Sequence, residues 1–135
     1  KKTIINNGSL ETFLLDTYSA RQLESTSTGN AGYTNIVVES SKDNPQEIIG
    51  SIDDGVLVTE MMGSGANILT GDYSRGAFGY LIKNGEVLHP VTNFTIASNM
   101  LDMLTNISLI GADTYENSKI KCGSILIDKM TIGGN

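Results

Sequence analysis

The chain is poor in most of the residues that build catalytic centres. Among its 135 residues are one cysteine, Cys122, and one histidine, His89, with no tryptophan and two prolines. A lone cysteine forms no internal disulfide, and one thiol with one imidazole falls short of the four ligands of a structural zinc, so a reducing compartment is the simpler setting. Positive charge is scarce as well. Nine Lys and Arg against fifteen Asp and Glu leave a net charge of −6, and no three basic residues run together, which excludes a protein that tracks a phosphate backbone. The longest uncharged stretch, Val87–Leu101, carries His, Pro, Asn, Thr and Ser and falls short of the ~20 apolar residues of a membrane span. The first residues, Lys1–Gly8, carry neither an initiator Met nor the apolar core of a signal peptide. The chain therefore reads as an excerpt of something longer, of a size that suits one core.

What is abundant points to sheet. Fifteen Ile, thirteen Thr and fifteen Gly favour strands joined by glycine turns over a helical bundle. The expected class is α+β: a predominantly antiparallel β-sheet domain, barrel- or sandwich-like, with two short helices. Its clearest signal is the run Gly79–His89, two β-prone segments around Asn84-Gly85, the pair that tolerates the positive φ angles of a type I′ hairpin turn. Further strands are predicted at Thr3–Ile5, Leu10–Leu15, Asn35–Glu39, Val56–Met61, Asn67–Thr70, Phe94–Ala97, Ile107–Ile110 and Ser124–Asp128. Asn44-Pro45-Gln46-Glu47 opens one helix with a cap, a first-turn Pro and a Glu that can reach back; Ile48, Ile49 and Ile52 form its apolar face and Gly55 its stop. The second helix, Ser98–Thr105, takes Ser98 as its cap and sets Met100, Leu101, Met103 and Leu104 against the sheet. A weak turn is expected at Tyr18–Leu23, a linker-like segment at Glu24–Gly32 and a polar loop at Ala112–Lys119.

Little here can do chemistry unaided. His89 stands alone beside Pro90 and reads as a surface or edge-strand residue, and Cys122 as a small apolar residue at a strand start. A Ser-His-Asp triad would depend on that single imidazole, and no Gly-x-Ser-x-Gly elbow occurs. Met62–Gly71 resembles a phosphate cradle only in its glycines, since no Lys-Ser or Lys-Thr follows. Those glycines are better read as a bulge or a tight crossing of strands. The densest polar cluster is Thr70-Gly71-Asp72-Tyr73-Ser74-Arg75-Gly76. It is either a rigid loop in which Asp72 pairs with Arg75 and Tyr73 stands out as an anchor, or a contact site that sets Arg75 against a carboxylate of a partner chain or peptide terminus. With Asn67, the residues Asp72, Tyr73 and Arg75 are the candidate partner or peptide contacts.

The run Val58–Tyr80, containing Gly71-Asp72-Tyr73-Ser74-Arg75-Gly76, resembles the C-terminal domain of the TldD/PmbA family, and within it the PmbA (TldE) branch. Ile82–Glu86, Pro90-Val91, Thr95–Leu104, Leu14–Arg21, Ser27–Ala31 and the ending Met130–Gly134 extend the resemblance over nearly the whole chain. It implies that residues 1–135 are a single C-terminal domain of a bacterial cytosolic PmbA-like protein whose N-terminal and middle domains are absent. The family is also called "modulator of DNA gyrase" and is linked to peptide-antibiotic maturation and antitoxin degradation. In it the TldD-type subunit holds zinc through a His-Glu-x-x-x-His helix and a cysteine in a Cys-Gly-Lys-Glu-like loop. This chain has no such helix, and Cys122-Gly123-Ser124 lies directly at the final strand, so neither catalytic residue nor metal ligand nor cofactor is assigned to it. The implied partners are a TldD-like subunit, a second copy, or both, and an unfolded peptide, with no direct nucleic acid and no membrane. Two alternatives stay open: that the complete polypeptide is itself a metallopeptidase, its helix lying before Lys1, and that the chain is a gyrase-associated interaction module.

Overall fold

A computed structural model describes residues 1–30, 32–41 and 43–134. The chain divides into two compact units, Lys1–Ile36 and Val37–Asn135. In the first, Ile5–Asn6 (β1) and Ser9–Leu10 (β2) form an antiparallel pair, and Thr17–Gln22 (α1) is a helix. Asp16 caps α1 by accepting the Ser19 N–H at 2.7 Å, and Ala20 is buried. The weak turn expected at Tyr18–Leu23 is thus a full helix, additional to the two expected. The strand expected over Leu10–Leu15 stops at Leu10 because side chains take the backbone groups beyond it. Leu15 N–H donates to the Thr28 hydroxyl at 2.8 Å, and its carbonyl accepts from Ser27 Oγ at 3.0 Å. That also ties down the Glu24–Gly32 linker; its Ala31 lies outside the described residues.

The second unit is built on an antiparallel sheet of order β10-β6-β5-β4, formed by Thr131–Gly133 (β10), Glu86–Asn99 (β6), Asp72–Lys83 (β5) and Asp54–Met62 (β4). The sheet is open, with β10 and β4 as its edges, so it does not close into a barrel. Its spine is the expected hairpin, turning on Asn84 and Gly85 at φ 49° and 78°. Ladder irregularities at Val58/Glu60, Ala77/Gly79 and Tyr80/Ile82 break the strict alternation of faces. Ala77, Phe94 and Ile96 form the core, packed by Val56, Val58, Tyr73, Val91 and Met130. Gly79 is required at the crossing of β4 and β5: a Cβ there would run into the Leu57 carbonyl.

Pro45–Gly50 (α2) carries the expected reciprocal cap, with Glu47 N–H donating to Asn44 Oδ1 at 2.9 Å and Asn44 N–H to Glu47 Oε2 at 3.1 Å. It ends at Gly50 with Ser51 as its cap, whereas Gly55, the expected stop, lies within β4. Met100–Thr105 (α3) is capped by Asn99, not Ser98. No residue of α3 is buried, and Leu101 and Leu104 face solvent rather than the sheet. Ile107–Ile110 (β7) pairs with Ile125–Ile127 (β9) as a separate ribbon. Ile36–Val37 (β3) falls at the unit boundary, and Val38 N–H donates to the carbonyl of Lys121 in Ile120–Lys121 (β8) at 2.9 Å. The Ala112–Lys119 segment is the expected loop.

Candidate contact site

Asn67, Asp72, Tyr73 and Arg75 do come together, at the start of β5 and in the loop before it, but not as the sequence suggests. Asn67–Thr70 is a turn, not a strand. The Asn67 Oδ1 accepts the N–H groups of Leu69 and Thr70 at 3.0 and 3.3 Å, diverting the backbone from a ladder. Only a single bridge, Ala66 to Tyr73, continues the pairing. Gly65 permits this approach, since a Cβ there would strike the Ser74 carbonyl. Conversely, Asp72–Gly76 is strand rather than loop, held by pairing with Thr95–Asn99.

That change of backbone undoes the expected Asp72–Arg75 pair, because positions three apart on a strand point to opposite faces. Asp72 instead accepts the Thr70 hydroxyl at 2.7 Å. Arg75 Nε and Nη2 donate to the carbonyls of Met62 and Met61, both at 3.3 Å, bracing the end of β4. Tyr73 does not stand out as an anchor. It packs on the Ala77–Phe94–Ile96 core, and its hydroxyl reaches the Met61 Sδ at 3.3 Å.

Two positions not singled out from the sequence organise loops of this unit, one of them in this region. Asn99 is one. Its Oδ1 caps α3 through the Leu101 N–H at 3.0 Å while its Nδ2 donates to the Thr70 carbonyl at 3.2 Å, and the neighbouring Met100 N–H donates to the Gly71 carbonyl at 2.7 Å. Gly71, at φ 79°, lies so close that a Cβ would come within 2.8 Å of Asn99 Nδ2. Asn caps as well as Ser, so the signal was present, one residue beyond the cap chosen. The other is Asp113. Its carboxylate accepts the Ser124 hydroxyl and N–H at 2.6 and 2.8 Å, which hold it below the usual carboxylate range.

His89 is exposed on β6, at the rim of a groove of about 440 Å³ lined by Val56, Leu81, Val91, Phe94 and Ile132. Cys122 is half-buried between β8 and β9; burial and, after it, the Asp113 charge push its thiol up. Among the described residues no three His, Cys, Asp or Glu side chains are grouped so as to hold a metal ion.

Residues 1–134 match the model of the PmbA/TldA metallopeptidase C-terminal domain. The chain belongs to that family. Over 136 residues it is 43% identical to the metalloprotease PmbA homolog of Haemophilus influenzae, and over 135 residues 42% identical to the metalloprotease PmbA of Escherichia coli O157:H7. Each comparison covers 99% of this chain and 30% of the relative. A metalloprotease TldD homolog of Buchnera aphidicola is 27% identical over 157 residues, covering 97% of this chain and 32% of that one. The fold matches the crystal structure of a proposed modulator of DNA gyrase from Bacteroides thetaiotaomicron with a TM-score of 0.93 at 29% identity, covering 99% of this chain and 30% of that one. The chain thus spans about 30% of the length of these relatives.

The family name implies a metal, and taken alone the described residues of this domain do not assemble a ligand set for one. Its only imidazole is on an exposed stretch of β6. Its only thiol is disfavoured as thiolate by burial and a nearby carboxylate, and both oxygens of that carboxylate already bind Ser124.

Proposed function

We propose that this domain is the non-catalytic assembly and peptide-chamber part of a PmbA-like, TldE-type subunit, paired in the bacterial cytoplasm with a TldD-like chain that holds the zinc. The observation that carries this reading is the donor set: one imidazole and one thiol, neither placed to share a cation with the other or with a free carboxylate. The stronger identity to PmbA-type than to TldD-type relatives supports the same branch. When bound in the partner, zinc would supply an activated water for peptide hydrolysis.

The residues of this domain bind and orient. β4 is an edge strand, and the backbone N–H and C=O groups on its outer side face no neighbouring strand within the sheet. An extended, unfolded peptide can add there as a further strand, gaining main-chain hydrogen bonds with little demand on its sequence. Arg75 fixes the end of β4 through two carbonyls and keeps further guanidinium donors for a peptide carboxylate. Asn67 and Asp72 shape the loop beside it, and Tyr73 seats the start of β5 on the core.

The test is peptide hydrolysis by the intact protein and its TldD-like partner, each alone and both together after co-expression. Hydrolysis that requires both chains supports the reading. Hydrolysis by this protein alone, with two His and a Glu at metal-binding spacing elsewhere in its polypeptide, replaces it with a self-sufficient metallopeptidase.

A further inference from the structure

Among the described residues the three most exposed large apolar side chains, Leu69, Ile68 and Leu101, lie on two neighbouring segments that hydrogen bonds join. Ile68 and Leu69, at the tip of the loop before β5, are 87% and 93% exposed, and Leu101 and Leu104 on α3 are 72% and 60% exposed. Adjacent leucines and isoleucines left this bare are unusual for loop residues, whose sequences are otherwise polar and adaptable. The loop is also not free to fold them away. The Asn67 side chain closes its turn, and Asn99 clamps Thr70 to the first turn of α3, so tip and helix start are held beside each other.

The surface left open over the chain as a whole is large enough for a protein-sized occupant. The chain exposes 9843 Å², whereas folded chains of these masses expose about 8000 Å² even when the two units are counted separately. The excess is about twice the ~800 Å² that one partner contributes to a standard stable interface. Charge selects the kind of occupant. The exposed carboxylates of Asp72 and Asp102 adjoin the face, Lys129 shares a hollow with Asp102, Arg75 is turned to the Met61 and Met62 carbonyls, and the whole chain carries −6, so acid outweighs base there. A second copy would set acid against acid, while a partner with basic groups around an apolar patch would be complementary.

Resting on the pairing proposed above, we propose that the Ile68–Leu69 tip with Leu101 and Leu104 is a preformed docking face for a different folded chain, apolar at its centre and basic at its margin. Aliphatic side chains at the centre set the residence time, and Asp72 and Asp102 at the edge set the rate of encounter.

The experiment uses the protein as the cell makes it and its TldD-like subunit, with affinity and association rate measured at low and high salt. Ile68→Ser combined with Leu69→Ser should weaken binding at least tenfold with the melting temperature unchanged. Leu104→Ser, on the other element, should also weaken it. Asp102→Lys should slow association and flatten its salt dependence. Unchanged affinity in the serine variants while the wild type pairs overturns this face and leaves the pairing intact. Unchanged affinity with lowered thermal stability places the tip under the protein's own chain and overturns the proposal too. If the wild type ignores the TldD-like subunit but self-associates until Ile68 and Leu69 are changed, the occupant is a second copy. If it does neither, both the face and the pairing fall.

Discussion

Asp113 and Arg75 show how single side chains divide between holding the domain and serving it. Asp113 accepts two bonds from Ser124 that favour its charged form. Its folded-state pKa lies below the unfolded carboxylate value of about 3.9, so its contribution to stability is complete above that pH and is lost as pH falls through the folded value. Asp113→Asn should therefore be less stable than the wild type at neutral pH and lose stability less steeply below about pH 4, as read by urea unfolding across pH. Parallel acid profiles for the two proteins would detach Asp113 from the loop's stability. Arg75 makes two long bonds to carbonyls at the end of β4, worth no more than about 1–2 kcal/mol together. Arg75→Ala should accordingly lower the melting temperature by only a few degrees and reduce capture of the partner or of unfolded peptide in a pull-down far more. Intact capture with a markedly lowered melting temperature would make Arg75 a brace and nothing more.

Strands and helices were legible where the code is local. The Asn84-Gly85 turn and the Asn44–Glu47 capping box each depend on a few adjacent residues, and each is found where expected. Elements set by distant partners were not. Asp72–Gly76, full of turn-forming residues, is strand only because Thr95–Asn99, some twenty residues on, supplies the ladder. The three-residue β10 likewise exists through pairing with Thr95–Ala97. Asn67–Thr70 failed the other way, since a local Asx turn outcompeted a plausible β-run. In the candidate site, residue identities were readable and their relations were not: the Asp72–Arg75 pairing assumed a loop and vanished once the segment proved extended. The β4–β5 crossing offers a direct test. Gly79→Ala would drive a Cβ into the Leu57 carbonyl and should cost about 1–3 kcal/mol or more, whereas alanine at the exposed Gly133, where a Cβ meets nothing within 4 Å, should cost far less. Comparable chemical denaturation midpoints for the two variants would contradict the packing described for this crossing.

Among its described residues the chain buries few large side chains, and β4 and β10 stand at the edges of its four-stranded sheet. Those features are what the proposed place in an assembly calls for, and among the described residues no three metal-ligating side chains are grouped. The most direct measurement is peptide hydrolysis by purified intact protein, by its TldD-like partner and by the two together, with zinc content determined in each. The account predicts turnover only when both chains are present, with the metal travelling with the partner. Stoichiometric zinc on this protein, bound by His89 and Cys122 and accompanied by cleavage in the partner's absence, would contradict it.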